Sequence, residues 1–365
     1  MKNDLLYKIA ITKIPKVGPI TTKNLVSYCG GAQAVFEARP KELLKIPGIG
    51  KTVIENLRHT DIFLEAEKEL EFIEKNDVQC LFYTDEKYPQ RLKHFNDSPA
   101  LLYFKGNAEL NHHRVVSVIG TRTPSPHGKT ICEDLIEELA AYNVLIISGL
   151  AYGIDVTAHR KSVALNLPTV GVLGHGLSMM YPAEHQRVAQ NMMNNGGLLT
   201  EYTHREGPDR EHFPMRNRIV AGMCDALIVV ETKQKGGSMI TADLANGYNK
   251  DVFAIPGRAR DKKFGGCNFL IKNHKALLIE SAEDVINIMR WEQVEKNKNV
   301  QKQLFVELSE REKSVIDILK NENEISIDKL SYASKLQPSI VSSLLLELEF
   351  KGLVKTLPGK RYMLL

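Results

Sequence analysis

Residues 115–149 read VVSVIGTRTPSPHGKTICEDLIEELAAYNVLIISG, and this stretch decides the fold. Two unbroken apolar runs, VVSVIG (115–120) and VLIISG (144–149), bracket a segment of helical length and pattern, GKTICEDLIEELAAY (128–142). A run that is apolar throughout, rather than alternating, suits a strand buried on both faces, as in a parallel sheet. The pattern repeats in TVGVLG (169–174), ALIVVE (226–231) and VFAIPG (252–257), with GSMITADLANGYN (237–249) as another helical segment. Repeated strand-helix-strand units predict an α/β fold: a Rossmann-like, doubly wound, mostly parallel sheet with helices on both faces. Ligands of such sheets bind beyond the carboxyl ends of the strands. Here those ends carry Gly120, Gly149, Gly174, Glu231 and Gly257.

Outside this block the texture changes. Residues 1–75 are helical in pattern and punctuated by two Gly/Pro turns, and the sheet-forming domain is expected over 76–290. The polar stretch WEQVEKNKNVQKQ (291–303) offers little to bury, which predicts a linker over 291–306 and a small separate unit over 307–365. A length of 365 residues suits two or three domains. With 43% hydrophobic and 25% charged residues the chain is globular in composition and excludes wholesale disorder. Forty-eight Lys and Arg against 44 Asp and Glu leave +4, a weak lean toward anionic partners. No apolar run approaches the ~18 residues of a membrane span. The opening MKNDLLYKIAITKIPKVG is broken by charge and proline before a signal-peptide core forms. Cys29, Cys80, Cys132, Cys224 and Cys267 are scattered with no C-x-x-C pair, so neither a metal site nor a disulfide framework is expected. A reducing cytoplasm is the expected location.

Four strand ends carry anion-binding chemistry. Gly120 and Arg122 stand before a helix that begins near Gly128; a glycine admits close backbone approach, and a helix N-terminus with an arginine suits a phosphate. The same residues equally suit a tight turn with a solvated arginine. Ser148-Gly149-Leu150-Ala151-Tyr152-Gly153 forms a small-residue loop before a second helix. It is neither G-x-G-x-x-G nor a P-loop, and no acidic residue closes the strand to hold a ribose. Asp155 and His159, spaced i, i+4, are expected to be a helix-start carboxylate and a hydrogen-bonded histidine rather than catalytic groups. Phe213, Arg216, Asn217 and Arg218 in HFPMRNR (212–218) combine an aromatic ring with phosphate-competent side chains, as single-stranded nucleic acid binding requires. Arg216 and Arg218 cannot share a helix face, so one of them is available for an internal ion pair. Lys235, Gly236, Gly237 and Ser238 open a fourth helix.

The strings VSVIGTR, SGLAYGIDVTAH, LGHGLSMMYP, FPMRNRIVAGM, KGGSMITADLA, VFAIPG and GCNFLI occur in the order seen in the DNA-processing protein A family (DprA, also called Smf), which the chain resembles. The lead-in YPQRLKHFNDSPALLYFKGN (88–107) resembles that family too. The resemblance implies an extended Rossmann domain that binds single-stranded DNA, dimerises, and helps load the RecA recombinase in natural transformation. Its anion edge falls on Gly120 and Arg122, its serine-glycine loop on Ser148 and Gly149, and its aromatic-plus-RNR string on Phe213, Arg216, Asn217 and Arg218. Its Gly-Ser loop falls on Gly236, Gly237 and Ser238. The chain departs at Tyr152, where the family often has arginine, so that charge would come from Lys233 or Lys235.

In the N-terminal region Ile14-Pro15-Lys16-Val17-Gly18-Pro19 and Ile46-Pro47-Gly48-Ile49-Gly50-Lys51 are similar turns, each followed by a helix. The second resembles a helix-hairpin-helix motif, in which Gly48 and Gly50 expose backbone N–H groups to a duplex phosphate and Lys51 adds charge. Helix-capping turns in a structural bundle are the competing interpretation. The C-terminal unit is expected to be a winged helix: Ser309 and Glu312 cap a first helix, a second lies near 327–334, and Pro338 opens a third that Gly352 ends. A hairpin through Pro358-Gly359 follows. Its reader helix carries Glu347 and Glu349, whereas the positive charge sits on the wing at Lys355, Lys360 and Arg361, which favours protein or weak phosphate contact.

The expected function is non-enzymatic: single-stranded DNA binding, with no cofactor, by a homodimer that delivers the strand to RecA. The alternative is a nucleotide phosphoribohydrolase-like enzyme on a related sheet. Its P-G-G-x-G-T-x-x-E string aligns with KGGSMITAD (235–243), where two glycines match but Lys235, Met239 and Ile240 do not and Asp243 replaces the glutamate. A nuclease would need clustered carboxylates for metal, and none stands out.

Overall fold

The computed structural model describes residues 2–58, 61–292, 308–320, 324–351, 353–357 and 361–364. Met1–Val294 and Glu295–Leu365 cluster as two compact units. Of the expected linker, everything beyond Glu292 lies outside the described residues, as do Gly352, Pro358, Gly359 and Lys360.

The first unit is built on a nine-stranded sheet. Its strands are β1 (Gln79–Phe82), β2 (Leu101–Gly106), β3 (Val115–Ile119), β4 (Leu145–Ser148), β5 (Thr169–Val172), β6 (Gly196–Thr200), β7 (Ala226–Val229), β8 (Asp251–Ala254) and β9 (Leu277–Leu278). They lie in the order β1-β2-β6-β5-β4-β3-β7-β8-β9. From β6 to β9 all neighbours are parallel, while β2 pairs antiparallel with both β1 and β6. The five apolar runs of the sequence are β3, β4, β5, β7 and β8, and the residues of β3, β4, β5 and β7 are all buried.

The parallel part starts at β3, steps outward to β4, β5 and β6, then returns past β3 to β7 and steps the other way. Helices Pro126–Leu139 and Ile154–Ala164 pack on each other, as do His212–Met223 and Gly237–Gly247. Reversing direction under a fixed crossover hand puts these pairs on opposite faces. The reversal leaves a crevice beyond the carboxyl ends of β3 and β7, the switch point at which doubly wound sheets bind ligands.

β6 is not among the strands expected from the sequence, and its GGLLT opens with two glycines. Their purpose is packing: a Cβ on Gly196 would lie 2.1 Å from the Thr169 carbonyl oxygen, and one on Gly197 2.6 Å from that of Lys105.

The antiparallel edge couples the N-terminal helices to the sheet. Phe82, Leu101 and Tyr103 join Ile9, Ile11, Leu25 and Ile73 in one core, while their alternating neighbours Leu81, Leu102 and Phe104 join the main core. That period of two is what a strand buried on both faces produces, and it carries a hydrophobic core across residue 76.

The second unit has helices Glu310–Lys320, Ile327–Ser334 and Pro338–Phe350 and a three-stranded sheet ordered β10 (Ile325–Ser326), β12 (Arg361–Leu364), β11 (Val354–Leu357). Val315, Leu319, Leu330, Val341, Leu345 and Leu348 fill its core. Ser309 and Glu312 cap the first helix reciprocally: the Glu312 N–H donates to Ser309 Oγ at 3.3 Å and the Ser309 N–H to Glu312 Oε2 at 2.8 Å.

Candidate nucleic-acid interface

A cleft of about 670 Å³ occupies the switch-point crevice. Of the residues singled out in the sequence, Gly120, Arg122, Gly149, Phe213, Arg216, Asn217, Lys235, Gly236, Gly237 and Ser238 line it.

Interlocked loops form one wall. The Thr121 N–H donates to the Glu231 carbonyl at 2.6 Å, and the Ile154 N–H to the Thr121 carbonyl at 3.2 Å. A Cβ on Gly153, whose φ is +83°, would come within 2.2 Å of the Thr121 oxygen. Glu231, just beyond β7, does not line the cleft: its carboxylate accepts the Ser125 hydroxyl at 2.7 Å and the Ser125 N–H at 3.0 Å. Ser125 Oγ in turn accepts the Gly128 N–H at 3.0 Å and caps the helix that follows. This ties down residues 120–125 and leaves Arg122 projecting into solvent with its guanidinium 5.6 Å from the Phe213 ring centre. Tyr181 lies 5.9 Å from the same ring and is half exposed, so two aromatic surfaces flank the arginine.

Arg216 forms the floor. It is 4% exposed, and its Nη1 donates to the Val172 carbonyl. Asp155 is the one carboxyl lining the cleft among the described residues, and its charge opposes the burial that lowers the arginine's pKa. Burial likewise pushes the Asp155 carboxyl above its ordinary range, with Arg216 acting against it. Arg216 Nε has no acceptor among the described residues. The floor is thus a buried cation, whose positive field favours an anionic oxygen in the cleft above it.

The rim is cationic. Arg122, Arg210, Lys233 and Lys235 line the cleft and are exposed, and none pairs with a carboxylate among the described residues. Gly236 caps the helix Gly237–Gly247, whose free N–H groups add to the field. Ser238 Oγ, however, is engaged with Thr232 Oγ1 at 2.6 Å.

Two expected site residues lie elsewhere. Ser148 is fully buried, and its hydroxyl donates to the Val118 carbonyl at 2.6 Å, tying β4 to β3. Arg218 is 6% exposed and pairs with Glu201 at 2.6 Å. It is two residues from Arg216 and therefore on another side of the helix. Asp155 and His159 stand one turn apart on the same helix, yet Asp155 lines the cleft and His159 does not. His159 is fully buried with Nδ1 2.7 Å from Thr169 Oγ1, and burial drives it down to about 3, so it is neutral.

Arg210 and Tyr181 were missed by sequence reasoning. Arg210 sits in a polar loop of mixed charge whose earlier residues are held by long-range ties. Glu69 accepts the His204 N–H at 3.0 Å and faces His204 Nδ1 at 2.6 Å, while Phe72 stacks on the His204 ring at 4.4 Å. The Gly176 N–H donates to the Glu206 carbonyl at 2.8 Å, which joins the Arg210 loop to the Tyr181 loop. The acidic run after residue 64 hid this: Glu65, Glu67, Glu71 and Glu74 are exposed, but Glu69 points inward.

Tyr152 donates to Glu184 at 2.8 Å and does not line the cleft, whereas Lys233 and Lys235 do. Gly48, Gly50 and Lys51 lie outside it. Gly48 has φ +81°, and Lys16, at the matching position of the first turn, adopts φ +63°. Both turns therefore share one backbone conformation, although only the second has the glycine that favours it. Lys51 is exposed at the start of its helix. In the second unit, Glu349 accepts the Thr356 hydroxyl at 2.8 Å and Arg361 pairs with Glu324 at 2.7 Å, so part of the reader-helix and wing charge is spent internally.

Asp243, at the position of the phosphoribohydrolase glutamate, pairs with Lys275 at 2.8 Å and does not line the cleft. No group of three or more metal-competent side chains occurs among the described residues, and no helix there is long and apolar enough to cross a membrane.

Residues 79–290 match the sequence family described as DNA recombination-mediator protein A, and residues 303–360 match the DprA winged helix domain. The chain is 30% identical over 390 residues to Protein Smf of Synechocystis sp., with 98% of each chain covered. The X-ray structure of DNA processing protein A from Streptococcus pneumoniae superposes with a TM-score of 0.63 at 31% identity, covering 79% of this chain and 98% of that one. DNA processing protein A from Helicobacter pylori, whose structure addresses its unique single-stranded DNA binding mode, gives a TM-score of 0.54 at 30% identity, covering 59% and 97%.

Proposed function

Because the chain belongs to the DNA recombination-mediator protein A family, also called DNA-processing protein A or Smf, we propose that it binds single-stranded DNA in the switch-point cleft and acts by holding the strand, not by catalysis. The observation that carries this reading is the composition of the cleft. Four exposed, unpaired cations (Arg122, Arg210, Lys233, Lys235) surround the Phe213 and Tyr181 rings above a buried arginine. Cations follow the phosphates and rings stack bases without reading sequence, which is the chemistry of single-strand binding.

Delivery of the bound strand to the RecA recombinase during natural transformation, in the cytoplasm, completes the reading. Dimerisation is part of it: β9 is an edge strand with Leu277 and Leu278 both about half exposed, and Ile288 is also exposed in this region. Edge strands of this kind accept a second copy.

The test is a titration of matched single-stranded and duplex DNA across a salt series, with the parent chain and Arg122→Ala. The reading expects a single-strand preference that weakens steeply with salt and drops with Arg122→Ala. Equal affinity for both DNA forms, untouched by the substitution, would exclude the cleft.

A further inference from the structure

Beyond β8 the chain leaves the sheet at Pro256-Gly257 and reaches the helix Gly265–Lys272 through RARDKKF (258–264). Arg258, Arg260, Lys262 and Lys263 are exposed, and none has a carboxylate partner among the described residues. The acid within the loop, Asp261, accepts the backbone N–H of Lys263 at 2.8 Å.

The foot of this loop is packed as firmly as its tip is open. Phe264 is 3% exposed and abuts Gly257, where a Cβ would lie 2.0 Å from that of Phe264. The Asn268 side chain grips both backbone groups of Gly257, at 3.0 and 3.1 Å. The foot is also joined to the cleft wall: the Gly266 N–H donates to the Thr232 carbonyl at 2.8 Å, and a Cβ on Gly266 would meet the Lys233 oxygen at 2.6 Å. Thr232 and Lys233 line the cleft. The cationic loop therefore begins one strand spacing, about 4.8 Å, beyond the β7 side of that cleft. Concentrating like charge on a fixed loop opposes folding, and an anion relieves the repulsion.

We propose that residues 258–263 are a second phosphate subsite, which takes the backbone of the same single strand as it leaves the cleft over β8. The proposal rests on the single-strand reading of the cleft. The loop's aromatic ring is buried at its foot, so the subsite offers charge without a stacking surface and binds independently of sequence. Strand order gives the path: from Gly149 after β4, past Arg122 after β3 and Lys235 after β7, to Arg258 after β8.

The experiment uses the full chain and a variant carrying Arg258→Ser, Arg260→Ser, Lys262→Ser and Lys263→Ser, with thermal melting to verify the fold. Fluorescence anisotropy is followed with oligothymidylates of about six and about twenty nucleotides, lengths within and beyond the usual span of one binding fold, over a salt series. The variant should bind the long strand on the order of tenfold more weakly at low salt. Its salt slope should be flatter by about 2 to 3, at about 0.7 for each phosphate that is no longer neutralised. The short strand should bind as it does to the parent. Unchanged long-strand affinity and slope, or an equal loss at both lengths, overturns the subsite. A loss confined to duplex DNA overturns it in favour of a duplex-binding loop. Arg122→Ala tests the cleft separately: it should weaken both lengths, and if it weakens neither, the cleft reading fails regardless of the loop.

Discussion

The guanidinium of Arg216 occupies the space where Gly149 lacks a side chain: a Cβ there would lie 2.1 Å from Nη1. Gly149 therefore contributes less as a phosphate cradle than as a seat for the arginine that floors the cleft. Gly149→Ala should displace the guanidinium, at a stability loss of roughly 1–3 kcal/mol for overpacking. Single-strand affinity should drop with it. Denaturant melts and a binding titration read both, and an alanine variant with parent affinity would disconnect Arg216 from the ligand.

Arg218→Ala should act on stability rather than on binding. It leaves Glu201 buried without its partner, a loss of roughly 3–5 kcal/mol. Burial already raises the Glu201 carboxyl above 4.5, with Arg218 holding it down, so the substitution raises it further. A carboxyl with a raised folded pKa is tolerated when protonated, and its penalty grows as pH rises through that pKa. The Tm deficit of the variant should accordingly narrow as pH falls from neutrality toward 4.5, the ordinary carboxyl value. A deficit independent of pH would contradict this.

His159 gives the opposite acid signature. Its folded pKa is depressed from 6.5 to about 3, so the stability it contributes is present above 6.5 and is lost as pH falls toward 3. His159→Gln removes that linkage and should flatten the acid limb of stability against pH by up to about 1.4 kcal/mol per pH unit, the value of one proton. Urea melts at several pH values would measure it; parallel limbs in parent and variant would count against a neutral buried imidazole.

Glu69→Gln should loosen the loop that carries Arg210, because the acceptor for the His204 N–H and ring loses its charge. A charged hydrogen bond is worth about 1.5–3 kcal/mol, and single-strand affinity should fall by a few-fold as Arg210 becomes less fixed. Glu71→Gln, on the exposed face of the same helix, is the matched control and should change neither. Equal effects from the two substitutions would remove the loop-positioning role.

The parallel core was legible because burial on both faces writes itself into sequence as unbroken apolar runs, and β3, β4, β5, β7 and β8 all carry one. β6 was not, since its glycines answer to the backbone of neighbouring strands rather than to local propensity. The same division runs through the site. Gly120, Arg122, Phe213, Arg216 and the 235–238 loop were visible as strand-end chemistry, and all line the cleft. Arg218 and Ser148 carry equally suitable side chains, yet a buried Glu201 and the Val118 carbonyl claim them.

The sequence by itself determined the buried parallel strands β3, β4, β5, β7 and β8 and the helix starts beyond their ends, because those follow from periodicity and from residue types that act locally. Tertiary structure alone decided which cations face the cleft. A charged side chain points to solvent or to a partner according to what the fold brings within about 4 Å of it. The loop that carries Arg210 is tied at His204 to Glu69, 135 residues away in the chain. Arg218 owes its burial to Glu201, which reaches it from the loop beyond β6.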